Sequence, residues 1–224
     1  MKSLSLRSVV HFKIDGETPI VEDGNDIGSI VPDNDNPTIT FERKSFKVYV
    51  ATFTEVINEN ILVRDDDDKF QAFQEYMKPN TFKIFYSEEE NILYSTAPTA
   101  ISKSFFKKLE NAYPAYVELK IIDFDFPNII GLLTSTRGIT FNTKDKGVQR
   151  KRFSGNAVDS NVEAEAAVDD DNATFLIGKM DVLNLERTLG FSKSSSILIY
   201  SSVADLKVEY PYLQLTSAIY DIIK

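Results

Sequence analysis

Cysteine and tryptophan are both absent from the 224-residue chain, and histidine occurs once, at His11. Without cysteine there is no disulfide, no thiolate nucleophile and no cysteine-ligated zinc or iron–sulfur cluster. With one imidazole, a two-histidine metal site or a Ser-His-Asp triad built on any other histidine is closed to a single chain. Glycine is sparse at nine residues, and no Gly-rich phosphate loop, Gly-x-Ser-x-Gly elbow or Ser-x-x-Lys pattern occurs. No window approaches ~18 uninterrupted apolar residues, so no membrane-spanning helix is expected. The first residues, Met1 to Arg7, have neither an apolar run nor a small-residue cleavage site, so no signal peptide is expected. Cytoplasmic location, no membrane partner, no cofactor and no bound metal are the corresponding expectations.

What is present is ordinary for a globular chain: 42% hydrophobic and 26% charged residues. Sixteen Phe and ten Tyr suit a strand-rich core. The formal charge of -9 repels nucleic acid and anionic membrane at long range. Such partners therefore need a local basic patch.

Alternation predicts a strand over Leu4 to Ile14, then a long loop from Asp15 to Pro37, rich in Gly, Pro, Asn and Asp. Strands follow over Thr38 to Glu42 and Phe46 to Phe53, and an apolar run, Ile61 to Val63, comes after a turn-like Asn58-Glu59-Asn60. Asp65 to Asp68 reads as an acidic helix cap, leading into Phe70, Phe73 and Met77 on one helical face. A calcium loop would alternate its ligands and carry a Gly at the turn, and this run does neither. A hairpin with a charged Ser87 to Asn91 tip precedes a helix capped by Thr99 that buries Ile101, Phe105 and Leu109.

The chain is organised around Tyr113 to Phe153. Val117 to Ile122 alternates as a strand, and Asp125 caps a short helix at Pro127. Gly138 to Phe141 and Val148 to Phe153 form a hairpin. Beyond an acidic loop with a short Ala-rich helix, strands are predicted over Ala173 to Ile177 and Ser196 to Ser201, with a mixed segment between them. Tyr212, Leu215, Ile219 and Ile222 then mark a C-terminal amphipathic helix. The predicted fold class is α+β: a mixed, mostly antiparallel sheet with about four helices, the last packed on the sheet. A soft boundary near Ala112 to Pro114 separates an N-terminal α+β half, 1–112, from a C-terminal half, 113–224, with the basic hairpin and acidic loop. One continuous domain is equally compatible.

Charge is segregated in the second half. Between Arg137 and Arg152 lie six bases, Arg137, Lys144, Lys146, Arg150, Lys151 and Arg152, and one acid, Asp145, for a net +5. The next segment, Gly155 to Asn172, holds six acids and no base. Cations at strand spacing suit phosphates or an acidic protein surface. A merely solvated hairpin with weak surface pairing is the plainer account. Glu118-Leu119-Lys120 resembles the second half of the PD-(D/E)xK nuclease motif, in which the acid binds a divalent metal and the Lys orients water. The upstream acid that motif requires has only Glu88, Glu89 and Glu90 as candidates, with a predicted helix intervening. Asp123 and Asp125 make an Asp-x-Asp whose second member already serves as a helix cap.

Missing catalytic motifs, the long loop and the adjoining charge blocks lead to one expectation. The chain is read as a non-catalytic accessory or interaction subunit of an intracellular, prokaryotic or phage assembly handling nucleic acid. It would dock on a protein partner through its charged surfaces, with nucleic acid as the other candidate partner. A metal-dependent nuclease using Glu118 and Lys120, and an acidic mimic of DNA, are the rivals.

Overall fold

The computed structural model describes residues 2–41, 43–64 and 66–224. Strand dominates: thirteen strands and four α-helices are found among these residues, and every register given is antiparallel. This is an α+β chain that is mostly sheet. It packs as two compact units, one of Met1–Val9, Ile92–Thr99 and Lys120–Lys224, the other of Val10–Asn91 and Ala100–Leu119. The soft boundary near Ala112 to Pro114 falls inside the second of these.

In the first unit the strand order is β10-β9-β11-β12-β13-β1-β7. The elements are β1 (Lys2–Phe12), β7 (Ile92–Ser95), β9 (Ser135–Asn142), β10 (Arg150–Ser154), β11 (Ala173–Val182), β12 (Leu185–Ser192) and β13 (Ser196–Ile199). Strand geometry sends alternate side chains to opposite faces. One face carries Ile139, Phe141, Leu176, Leu189, Phe191 and Ile197, each at most 3% exposed. Three helices cover it: α2 (Phe126–Leu132), α3 (Val162–Asp169) and α4 (Pro211–Ile223), each touching β9 or β11. Burying these side chains supplies roughly 1.5–3 kcal/mol apiece and holds the layers together. Asp125 caps α2 as its sequence predicts, its Oδ1 accepting the Asn128 N–H at 2.9 Å. On α4, Leu215 and Ile219 are buried, but Ile222 is 40% exposed and its neighbour Ile223 is buried in its place.

The mixed segment around Met180 to Phe191 is a hairpin. Leu183 and Asn184 both take positive φ (51° and 63°) between the paired Val182 and Leu185. That is the geometry of a two-residue primed turn. A buried hydroxyl seam ties β1 to β13: Ser5 Oγ meets Ser196 Oγ at 2.9 Å, which meets Thr99 Oγ1 at 2.9 Å. Thr99 is therefore engaged across the unit, at the start of α1 (Thr99–Ala112).

The second unit orders its strands β6-β5-β3-β2, with β4 also on β5. These are β2 (Thr18–Glu22), β3 (Asn25–Pro32), β4 (Thr38–Phe41), β5 (Lys44–Arg64) and β6 (Phe70–Ser87), while β8 (Val117–Lys120) pairs with β1. The expected Asp15–Pro37 loop is largely the β2–β3 hairpin. Asp23 and Gly24, at φ 50° and 80°, form its two-residue turn, and Asp-Gly is the dipeptide such turns favour. Gly28 is required for close packing, because a Cβ there would lie 2.3 Å from the Thr52 carbonyl oxygen on β5.

The expected helix over Phe70, Phe73 and Met77 is strand β6, paired with β5 from Arg64/Phe70 to Lys47/Tyr86. Asn58 to Asn60 is not a turn but a bulge within β5, where the register shifts between Asn58 and Ile61. The apolar spacing read as helical has no core to meet: Phe70, Phe73 and Met77 are 68%, 44% and 73% exposed. Asp65 and Glu42 lie outside the described residues; Asp66 to Asp68 turn the hairpin. Lower down, the sheet packs on α1, where Phe105 sits edge-on to Phe53 and Phe82 at 5.9 and 5.2 Å.

Candidate basic and aromatic sheet face

The first unit's helices occupy one face of its sheet, and the other face holds the candidate site. Arg150 and Arg152 share one side of β10, opposite Lys151 and Phe153. Register carries Arg152 next to Thr140 on β9, Thr140 next to Phe175 on β11, and Phe175 next to Ser192 on β12. These four residues cross four strands in a single line on the open face. A cleft of about 710 Å³ follows that line, bordered by Arg150, Arg152, Thr174, Phe175, Ser192 and Ser194 among others. The turn beyond β12 is held in shape locally: Ser192 Oγ meets Ser194 Oγ at 2.7 Å, and Lys193 N–H donates to Thr174 O at 3.1 Å.

The cations are not equivalent. Lys151, on the helix side of β10, pairs with Asp145 at 2.6 Å and with Glu163 at the start of α3. Hydrogen bonds to Asp145 and then Glu163 hold its ammonium above the ordinary lysine range, and Lys151 in turn holds Asp145 below the usual carboxylate range. Lys193 lends its stem to the cleft and its head to Asp171 and Asp123, at 2.6 and 3.0 Å. Burial acts to lower the Lys193 ammonium, but the bonds to Asp171 and Asp123 outweigh it and keep the group raised. Arg150 and Arg152 are exposed and have no carboxylate partner among the described residues. At the cleft, the positive charge left for a ligand is therefore theirs.

Of the six cations singled out in the sequence, Arg150, Lys151 and Arg152 border the cleft. Lys144 and Lys146 are exposed in the β9–β10 connection. Lys144 instead borders a separate depression of about 380 Å³ beside α3. Arg137 is half-buried on β9, close enough to Glu186 to help keep that carboxylate low, after the larger effect of the Lys179 hydrogen bond. The hydroxyl and aromatic residues of the cleft, Thr140, Thr174, Phe175 and Ser192, come from strands distant in sequence. No local pattern could have joined them.

Glu118 lies on β8 with its Oε2 3.6 Å from His11 Nδ1, while Lys120 is exposed. The upstream acids are engaged elsewhere: Glu88 with Lys47 at 2.7 Å and Glu90 with Lys44 at 2.9 Å. No group of three or more His, Asp or Glu side chains that could hold a metal occurs among the described residues. No helix among them is long and apolar enough to cross a membrane. No protein-family model matches the chain, and no curated protein matches it either.

Proposed function

We infer that the protein is a non-catalytic binding subunit of a cytoplasmic assembly handling nucleic acid, and that it engages phosphate-bearing partners through the open face of its first unit. One observation carries the reading. Arg150 and Arg152 stand side by side on one strand face, without carboxylate partners among the described residues, at the border of a hydroxyl-lined cleft. Guanidinium groups suit phosphate oxygens because their fixed fork of donors can bind two at once. The acidic segment supports the same division of labour, since it occupies Lys151 and leaves the arginines to an incoming ligand. Its remaining carboxylates, with the net charge, suit a basic protein partner and orient docking.

β10 is also the edge strand of its sheet. Cations on an edge discourage strand-on-strand association without any ligand. Binding of labelled single- and double-stranded DNA and RNA across a salt series separates the two accounts. Affinity that falls steeply with salt supports the binding face; no binding at low salt leaves only edge protection. The nuclease reading rests on Glu118 and Lys120 and has its own test. Cleavage with Mg²⁺ or Mn²⁺ that disappears in Glu118→Ala would replace the accessory role with catalysis. Mimicry of DNA predicts capture of a DNA-handling enzyme but no affinity for DNA itself.

A further inference from the structure

We propose that the ligand of this face is single-stranded nucleic acid, its phosphates on Arg150 and Arg152 and its bases against Phe175 and Tyr200. The proposal rests on the phosphate-binding reading above and adds what the aromatic residues do. Phe175 is half-buried on the open face, in line with Arg152 through Thr140. Two strand spacings separate Phe175 from Arg152, roughly 10 Å of sheet. Tyr200 follows β13, still tied to the sheet by its N–H to Thr188 O at 3.0 Å, and is 40% exposed.

Glycine brings the two rings together. A Cβ on Gly190 would fall 2.8 Å from Phe175 Cζ and 3.1 Å from Tyr200 Cε2, so both rings lean over bare backbone at that point. Gly138 stands in the same cross-strand row, paired with Ile177, which pairs with Gly190. The Ile177 side chain lies over Gly138 as the two rings lie over Gly190, so the row is filled by flat, low side chains. Arg152 is near enough to Tyr200 to oppose the upward push that burial gives its phenol. A charged group and two ring edges thus converge on one shallow surface.

This arrangement favours an unpaired strand. Every base has a π-face that can stack on a ring, but in a duplex those faces are already covered by neighbouring pairs. The cleft, of about 710 Å³, is large enough to take a nucleotide-sized group. The Ser192 and Ser194 hydroxyls, bonded to each other, line the same cleft and leave one O–H between them as a donor that reads no sequence.

The test uses the full chain and four labelled probes of equal length, about twelve nucleotides: oligo(dT), oligo(U), an abasic DNA strand and a duplex. Oligo(dT) or oligo(U) is expected to bind about tenfold or more tighter than the abasic strand, whose charge is the same. Phe175→Leu with Tyr200→Leu should erase that preference and leave abasic binding within about twofold, while Tyr200→Phe should retain it. The order of oligo(dT) and oligo(U) tells DNA from RNA. Equal affinity for abasic and base-bearing strands would overturn the stacking proposal and leave the basic face standing. A duplex binding tighter than either single strand would also overturn it. No binding of any probe at low salt would remove both.

Discussion

The ammonium of Lys151 lies against the carboxylate of Glu163, joining the basic strand to the first turn of the acidic helix that follows it. Blocks of opposite charge adjacent in the chain thus meet in the fold, but by one residue of the strand rather than the whole hairpin. Strand alternation explains the selectivity: Lys151 faces the helices while Arg150 and Arg152 face away.

Removing the carboxylate should not recruit the lysine. Glu163→Gln is expected to leave the salt slope of nucleic-acid binding unchanged, because Lys151 keeps Asp145 as a partner and faces the helices, away from the ligand. Lys151→Gln should change the salt slope less than Arg152→Gln. Fluorescence anisotropy across a salt series measures both.

Arg187 is 2% exposed and grips Asp205 through both terminal nitrogens, one contact at 2.9 Å, fastening the chain after β13. Replacing it with Leu deletes these charge-assisted bonds and should lower stability by about 2–3 kcal/mol. Arg187→Lys should recover only part, since an ammonium cannot reproduce the fork. Urea unfolding with an unchanged slope would report the loss.

Backbone contact makes Gly28 the least replaceable glycine of the second unit. Gly28→Ala pushes a Cβ against the Thr52 carbonyl and should cost about 1–3 kcal/mol. Gly16→Ala, with nothing within 4 Å, should stay within about 0.5 kcal/mol of the parent. The same unfolding experiment compares them.

Stability should be flat around neutral pH and fall at both extremes. Asp33, Asp145, Glu186 and Asp205 titrate below their ordinary range, held chiefly by hydrogen bonds from Lys83, Lys151, Lys179 and Arg187 respectively. A depressed carboxylate stabilises the fold above its unfolded pKa, 3.8 for Asp and 4.5 for Glu. That contribution drains as pH falls through the folded value, because the unfolded chain then binds more protons. Lys151 and Lys193 are raised above 10.5, so their contribution is complete below that pH and is lost as pH rises through the folded value. Thermal unfolding from pH 2 to 12 should trace a plateau with both shoulders.

Order should decay along the β5–β6 ribbon. Beyond Phe53 and Asn80 these strands pair only with each other among the described residues, and Leu62, Phe70 and Met77 are largely exposed. A two-stranded ribbon with both faces wet is marginal in water. Amides of residues 56–64 should exchange with solvent faster than those of 46–53, which lie between β3 or β4 and β6.

Much of this architecture was legible in the sequence. Asp125 as a cap, α1 burying Ile101, Phe105 and Leu109, the hairpin from Gly138 to Phe153 and the terminal helix all follow from local patterns. Other elements were hidden for physical reasons. Phe70, Phe73 and Met77 mimic a helical stripe, and only pairing with distant residues such as Ile61 and Val56 makes that segment a strand. The Leu183-Asn184 turn lacks the glycine that usually signals one. Asp23-Gly24 did carry the signal, obscured by the polar composition around it. Of the candidate face, the arginines were visible as charge, whereas Phe175, Ser192 and Tyr200 meet them only through long-range register.

The most direct test of the binding face is the salt dependence of single-strand affinity for the parent and for Arg150→Gln with Arg152→Gln. The parent should bind at low salt and weaken linearly in log–log form, and the double substitution should reduce the slope by about 1.4 for two lost phosphate contacts. An unchanged slope and affinity in a folded double variant would contradict the account, because the charge open to a ligand would then lie elsewhere on the molecule.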